Sequence, residues 1–313
     1  AFMKTLMGTT LNADESDVFN SVNDKFRNST QTTEQHQVLI PEKIVEGIWK
    51  EIGELHPILG DIAATRVKGE LTFILEDTKG TDAEWVDENT ESTDSDVKFG
   101  TLTLTGCELV KSIRVSWKMK KMSMDSFMQY IITHLAEKMA GTLAYGVVRG
   151  KGKPGDGDDW KAQPRGIITA LEAESSTPQI ISATGSFTYQ NLTKLMSSIK
   201  SGYSTGAVIY ANNDTIWNEL ANITDANGRP LFVPDVTSGG VGRILGKVVK
   251  EEDAMKNGEI LLSNVARGYK MNINENITLY QEDHVKARAT DYMSYAIVDG
   301  DVLTTKAFAL LKK

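Results

Sequence analysis

The sequence predicts an α+β protein, and three observations carry that expectation. A single uninterrupted helical pattern spans 123–149. A strongly acidic segment, 69–103, has strand-like residues on both of its flanks. A mixed α/β stretch then leads into a last third, 269–311, that is rich in strands. With 313 residues, 40% of them hydrophobic, the chain has apolar material for one large or two ordinary domains. The single cysteine, Cys107, excludes an internal disulfide framework and points to a reducing compartment. No segment approaches the roughly 18 consecutive apolar residues of a membrane span, and the N-terminus has no apolar signal core. A soluble protein made in the cytoplasm is expected.

The formal net charge is −8, which argues against strong nucleic-acid binding by the surface as a whole. Its distribution is more informative. Residues 69–103 hold Glu70, Glu76, Asp77, Asp82, Glu84, Asp87, Glu88, Glu91, Asp94 and Asp96 against only Lys79 and Lys98, so this one segment carries the whole net charge. The remainder of the chain is balanced.

In chain order, residues 1–37 form a polar arm too poor in apolar residues to fold alone, with helical spacing at 14–26. Pro41 opens a helix carried by Ile44, Val45, Ile48, Trp49, Ile52 and Leu55 and closed by Gly53 and Pro57. Residues 58–67 and 69–75 are expected as strands. Leu71, Phe73 and Leu75 before the acidic run, and Phe99, Leu102 and Leu104 after it, predict an extended hairpin that leaves a body and returns. A disordered acidic loop is the alternative. The return strand continues through 107–118 into the long helix.

Along that helix Met124, Phe127, Met128, Ile131, Ile132, Leu135, Met139, Leu143 and Val147 form one apolar stripe. Ser123 is placed to cap its start, and Arg149 with Gly150 and Gly152 marks its exit. At about 1.5 Å per residue it spans roughly 40 Å, longer than a compact domain needs. A glycine-rich loop ending in Gln163, Pro164, Arg165, Gly166 and Ile167 follows. Helices at 189–200 and 213–223 and strands at 207–211, 245–249 and 260–264 complete the α/β stretch.

Catalytic and cofactor motifs are weak. Gly150, Gly152 and Gly155 match G-x-G-x-x-G, but they follow a helix C-terminus instead of joining a strand to a helix N-terminus, so their amides are not set to cradle phosphate. His36, His56, His134 and His284 have no metal-ligand spacing. The acids from Asp87 to Asp96 lack the calcium-loop frame. Cys107 sits in an apolar strand context that favours an inert thiol, and no G-x-S-x-G occurs. These residues point to a structural or interaction protein with no cofactor.

The order of parts resembles the tailed-bacteriophage major capsid proteins of the Hong Kong 97 fold. The resemblance rests on Ala83-Glu84-Trp85-Val86 with Glu88 in the hairpin, on Gln163-Pro164-Arg165-Gly166-Ile167, and on the terminal VDGDVLTTKAFALL. It implies an N-terminal arm (1–37), a first part of the P-domain (38–68) and an E-loop (69–103). Residues 104–166 would be P-domain with the spine helix 123–149, followed by an A-domain (167–270) and a return to the P-domain (271–313). It further implies pentamers and hexamers closing an icosahedral head around double-stranded DNA. The implied partners are copies of the chain, a portal, a scaffold or maturation protease, and a decoration protein. DNA would be contacted weakly and no membrane at all, with assembly in the bacterial cytoplasm. An encapsulin nanocompartment shell and, from another class, an α/β enzyme with an acidic lid are the alternatives.

E-loops of this family lie on a neighbouring subunit's P-domain. The acids Glu76, Asp77, Asp82, Glu84, Asp87, Glu88, Glu91, Asp94 and Asp96 are therefore expected to meet a basic surface. Candidate receivers are Lys111, Arg114, Lys118, Lys120 and Lys121 before the spine, and Arg149, Lys151, Lys153 and Arg165 beyond it. Some relatives fuse an E-loop Lys to a neighbour's Asn. Here Thr90 and Glu91 stand near the first position and Ala287 at the second, so a non-covalent shell is expected. A chain starting at Ala1 fits either a cleaved scaffolding segment or removal of Met alone.

Overall fold

The structure is a computed structural model, and it describes residues 12–14, 16, 37–38, 49–50, 52–78, 85, 98–120, 124–174, 179–225, 227–234 and 241–313. The strands are β1 (Gln37–Val38), β2 (Ala64–Thr65), β3 (Leu71–Thr78), β4 (Lys98–Leu104), β5 (Cys107–Ser116), β6 (Ile180–Ser182), β7 (Val208–Ala211), β8 (Phe232–Pro234), β9 (Gly242–Ile244), β10 (Lys247–Glu251), β11 (Glu259–Ser263), β12 (Tyr269–His284), β13 (Ala289–Val302) and β14 (Phe308–Lys312). They form three sheets: β1-β12-β13-β5 with β2 beside β12, then β6-β14-β11-β7-β10-β9-β8, and the β3-β4 ribbon.

The long helix, Met124–Arg149, agrees with the apolar period. Among its described side chains Leu135, Met139, Leu143 and Val147 are buried, joined by Ala140, Ala144 and Val148. With β12, β13 and the helix Ile167–Ala173 they build one core. A second core lies under the helices Tyr189–Ser198 and Asn213–Asn218. The seven-stranded sheet separates the two. Tyr210, Leu261, Phe308 and Leu310 face the first core, whereas Ile209, Ile260, Leu262, Ala309 and Leu311 face the second. Burial on both faces explains why these strands read as continuous apolar runs instead of alternating.

Several expected elements differ. Residues 58–67 were expected as one strand, yet Pro57–Asp61 is a helix and only Ala64–Thr65 is a strand. Pro57 supplies the fixed φ of a first helical residue, and Ile58 and Leu59 on the helix are buried together with Ile62 just past its end. Of the helix expected from Pro41, 49–50 and 52–55 are helical and the remainder up to Leu55 lies outside the described residues. The strand expected to reach Lys118 stops at Ser116, where the short helix Trp117–Lys120 begins. The helix expected over 213–223 breaks at Glu219 (φ −123°, ψ −59°) into Asn213–Asn218 and a 3₁₀ turn, Leu220–Asn222. The strand expected at 245–249 is half of a hairpin, because Leu245 and Gly246 both take positive φ, as a two-residue turn requires. Finally, 271–313 does not stay in one sheet. β12 and β13 form the long antiparallel arm, but β14 crosses into the seven-stranded sheet between β6 and β11.

Candidate inter-subunit surface

The acidic ribbon leaves the body as the antiparallel pair β3-β4, in one register from Leu71 opposite Leu104 to Glu76 opposite Phe99, after which a bulge at Asp77 sets Thr78 opposite Lys98. Among its described side chains Leu104 is buried at the base, Leu71, Phe73 and Leu102 are half-buried, and Ile74 is 75% exposed. Trp85, out on the hairpin, is wholly exposed. Glu76 and Asp77 lie within β3, whereas Asp82, Glu84, Asp87, Glu88, Glu91, Asp94 and Asp96 lie outside the described residues.

Both legs of the ribbon are fastened where they meet the body. On the entering leg, Asn272 Nδ2 donates to Val67 O at 2.9 Å while its Oδ1 accepts from Val67 N and from Thr65 Oγ1, each at 3.0 Å. Asn274 Nδ2 donates to Gly69 O at 2.7 Å. On the leaving leg, Asp299 Oδ2 accepts from Thr105 N at 3.0 Å and Gly106 N at 3.1 Å. Lys153 Nζ stands 3.6 Å from that carboxylate and 3.4 Å from Thr103 O. Gly106 has φ +101°, and a Cβ there would fall 2.5 Å from Ile297 Cγ2, so glycine is required.

The candidate receivers fall into two groups, separated by the roughly 40 Å of the long helix. In the first, Arg114 is already held by Asp291 through two hydrogen bonds of 2.7 and 2.8 Å, which hold that carboxyl down at about 2. Lys111 is half-buried on the opposite face of β5, the face of Ile113 and Val115. Lys118 is exposed, Lys120 ends the short helix Trp117–Lys120, and Lys121 lies outside the described residues. In the second group, Arg149 is largely buried and paired with Glu259 of its own chain. Lys151 sits 4.7 Å over the Trp160 ring, Lys153 serves the hairpin root, and Arg165 is exposed. Arg114, Arg149 and Lys153 are therefore engaged within the chain.

The turn between β12 and β13 adds a basic tip that charge patterning missed. Val285, Lys286, Ala287 and Arg288 are all exposed, and Arg288 O accepts from Trp117 N at 3.0 Å, which brings the turn beside Lys118. Lys286 and Arg288 escaped notice because they interrupt a stretch that reads as one continuous β run.

At the far end of the helix the QPRGI segment crosses in direct contact. Gly166 N donates to Gly150 O at 2.8 Å, and Arg165 N to Gly300 O at 2.9 Å. Cβ atoms at Gly150 and Gly166 would lie 2.0 Å from Pro164 O and 2.5 Å from Arg149 N, so both glycines are steric necessities. The loop that matched a nucleotide fingerprint is thus a packing device. Farther along, Glu252 accepts from His56 Nδ1 at 2.5 Å and from Ile58 N at 3.2 Å, while Asp61 accepts from Lys250 Nζ at 2.7 Å and from the Tyr210 hydroxyl. These contacts lock Pro57–Asp61 onto the seven-stranded sheet. Among the described residues no helix is long and apolar enough to cross a membrane.

A long helix braced by glycine contacts, an outreaching ribbon and a doubly buried mixed sheet are the architecture of Hong Kong 97 capsid subunits. The capsid of an empty GTA particle has this fold, at 17% identity over 93% of this chain and 97% of that one, with a TM-score of 0.63. A chain of Mycobacterium phage Adephagia matches at 14% identity over 82% and 89%, TM-score 0.60. A chain of the satellite phage P4 procapsid including size determination (Sid) protein matches at 12% over 86% and 98%, TM-score 0.54. No curated protein matches the sequence significantly. The sequence pattern of the phage capsid family matches residues 36–313. The chain belongs to that family and is a structural major capsid protein of a phage head.

Proposed function

We propose that each subunit lays its acidic hairpin on the P-domain of a second copy, where the acids meet the basic tip made by Lys118, Lys286 and Arg288, with Lys120 and Lys121, next in sequence, as further receivers. Repetition of that contact builds pentamers and hexamers, which close an icosahedral head around double-stranded DNA. Residues 1–37 act as the N-arm, 69–103 as the E-loop, and 38–68 with 104–166 and β12-β13 as the P-domain. The α/β part from 167, completed by β14, is the A-domain. The role is structural and involves no catalytic step. Portal, scaffold or protease, and decoration protein are the partner classes of such a shell, which assembles in the bacterial cytoplasm and is held without covalent links.

The observation that carries this reading is charge complementarity between two projecting features: a ribbon segment of net charge −8 and an exposed basic turn. Each exposed pair gives only about 0.2–1 kcal/mol, but many in register select one geometry and exclude others. Reversing Lys118, Lys120 and Lys121 to Glu, with or without Lys286→Glu and Arg288→Glu, is expected to abolish shells while the subunit stays folded. Particles of normal yield and size in electron micrographs of those variants would overturn the reading.

A further inference from the structure

The two polar anchors of the hairpin root stand opposite one another. Asn272 on β12 is the cross-strand partner of Asp299 on β13, and each serves a different leg of the ribbon. Both are buried, Asn272 fully and Asp299 at 3% exposure. Their polar atoms are well used. Asn272 spends both amide hydrogens and its oxygen on Val67, Thr65 and Asn274. Asp299 accepts from Thr105 N, Gly106 N and, at 2.8 Å, Gly300 N, with the Cys107 thiol at 3.6 Å.

These groups act on flexible joints. The legs pass through Gly69 (φ +91°) and Gly106 (φ +101°), and a two-stranded ribbon has little stability of its own. A ribbon hung from two glycines would swing. Here backbone groups of Val67 and Gly69 on one leg, and of Thr105 and Gly106 on the other, are bound to side chains rooted in β12 and β13.

We infer that Asn272 and Asp299, assisted by Asn274 and Lys153, are positioning residues for assembly: they set the direction in which the acidic hairpin leaves the body, so that each subunit presents it already aimed. This rests on the proposed docking of that hairpin on a second copy. It assigns a task to buried residues that touch no neighbour.

The test uses Asp299→Asn, which weakens the leaving leg, and Asn274→Ala, which frees Gly69 O on the entering leg. Should Asp299→Asn fail to fold, Asn274→Ala decides alone. Amide hydrogen exchange is measured on unassembled full-length subunits, and shell yield by sedimentation. Asp299→Asn is expected to speed exchange at Thr105 and Gly106 roughly ten- to hundredfold, the loss of about 1.5–3 kcal/mol for a bond to a charged group. Asn274→Ala, which removes a neutral bond of about 0.5–1.5 kcal/mol, is expected to speed it roughly two- to tenfold on the entering leg. The melting of the seven-stranded body should be kept, and shell yield should fall several-fold. Unchanged exchange at the root, or normal shells from a loosened root, would overturn the inference. The Lys118, Lys120 and Lys121 reversal serves as the control. Normal shells from that variant count against docking itself, and normal shells from the root variants alone count only against positioning.

Discussion

His56 Nδ1 lies 2.5 Å from Glu252 Oε1, joining residues 196 positions apart and fastening the segment before Pro57 to the loop that follows β10. The bond to Glu252 raises the pKa of His56, against the opposing effect of burial. A His whose pKa is higher when folded contributes stability that is complete below its unfolded value, near 6.5, and is lost as pH rises through the folded value. Denaturant unfolding of the subunit is therefore expected to show stability falling as pH rises from about 6.5 through that higher value. His56→Gln should flatten the slope, and an equally steep slope in that variant would place its origin elsewhere.

Glycines in this chain answer to two different constraints, which one pair of variants separates. Gly157 has φ +92°, and the space a methyl group would take there is open to 4 Å, so Gly157→Ala should cost only the left-handed backbone penalty of about 1–2 kcal/mol. At Gly166 a methyl group would overlap the backbone of Arg149 and Gly150. Gly166→Ala should cost clearly more, and thermal melting of the two variants checks the order.

Cys107 opens β5 in a buried position beside Asp299. Burial first, and the neighbouring carboxylate second, push its thiol up to about 12. A maleimide or disulfide reagent at pH 8 is expected to leave the folded subunit unlabelled over hours and to modify it rapidly in denaturant. Fast labelling of the native subunit would contradict this environment.

Trp85 is wholly exposed in the single chain, so its removal takes nothing from the subunit's own core. Trp85→Ala should leave the unfolding midpoint unchanged within error. If the residue is buried between copies, the same variant weakens assembly, as loss of a central aromatic commonly does. Melting and shell yield measured together distinguish an anchor from a bystander.

The most legible features were those in which a local period announces burial. The 3.6-residue spacing of Leu135, Met139 and Leu143 located the long helix, and the alternation of Leu71, Phe73 and Leu75 located the ribbon. Pro57–Asp61 was misread because Ile58, Leu59 and Ile62 suit a strand as well as a helix, and only the proline spoke for the helix. The root pair was illegible because a polar Asn272 and an acidic Asp299 look like interruptions of strands until the β12-β13 register sets them face to face. Charge patterning found basic residues but not their counterions. Glu259, which neutralises Arg149, lies 110 positions further along the chain.

β14 occupies an interior place in the seven-stranded sheet, between β6 and β11, although it leaves the ribosome after every other strand of that sheet. Until Phe308, Ala309, Leu310 and Leu311 arrive, both cores keep an open seam lined with apolar side chains. A nascent or prematurely terminated chain thus lacks the slat that unites its two halves. Truncation before Phe308 is therefore expected to open both cores along one line, and a chain so shortened to sediment as unassembled or aggregated material.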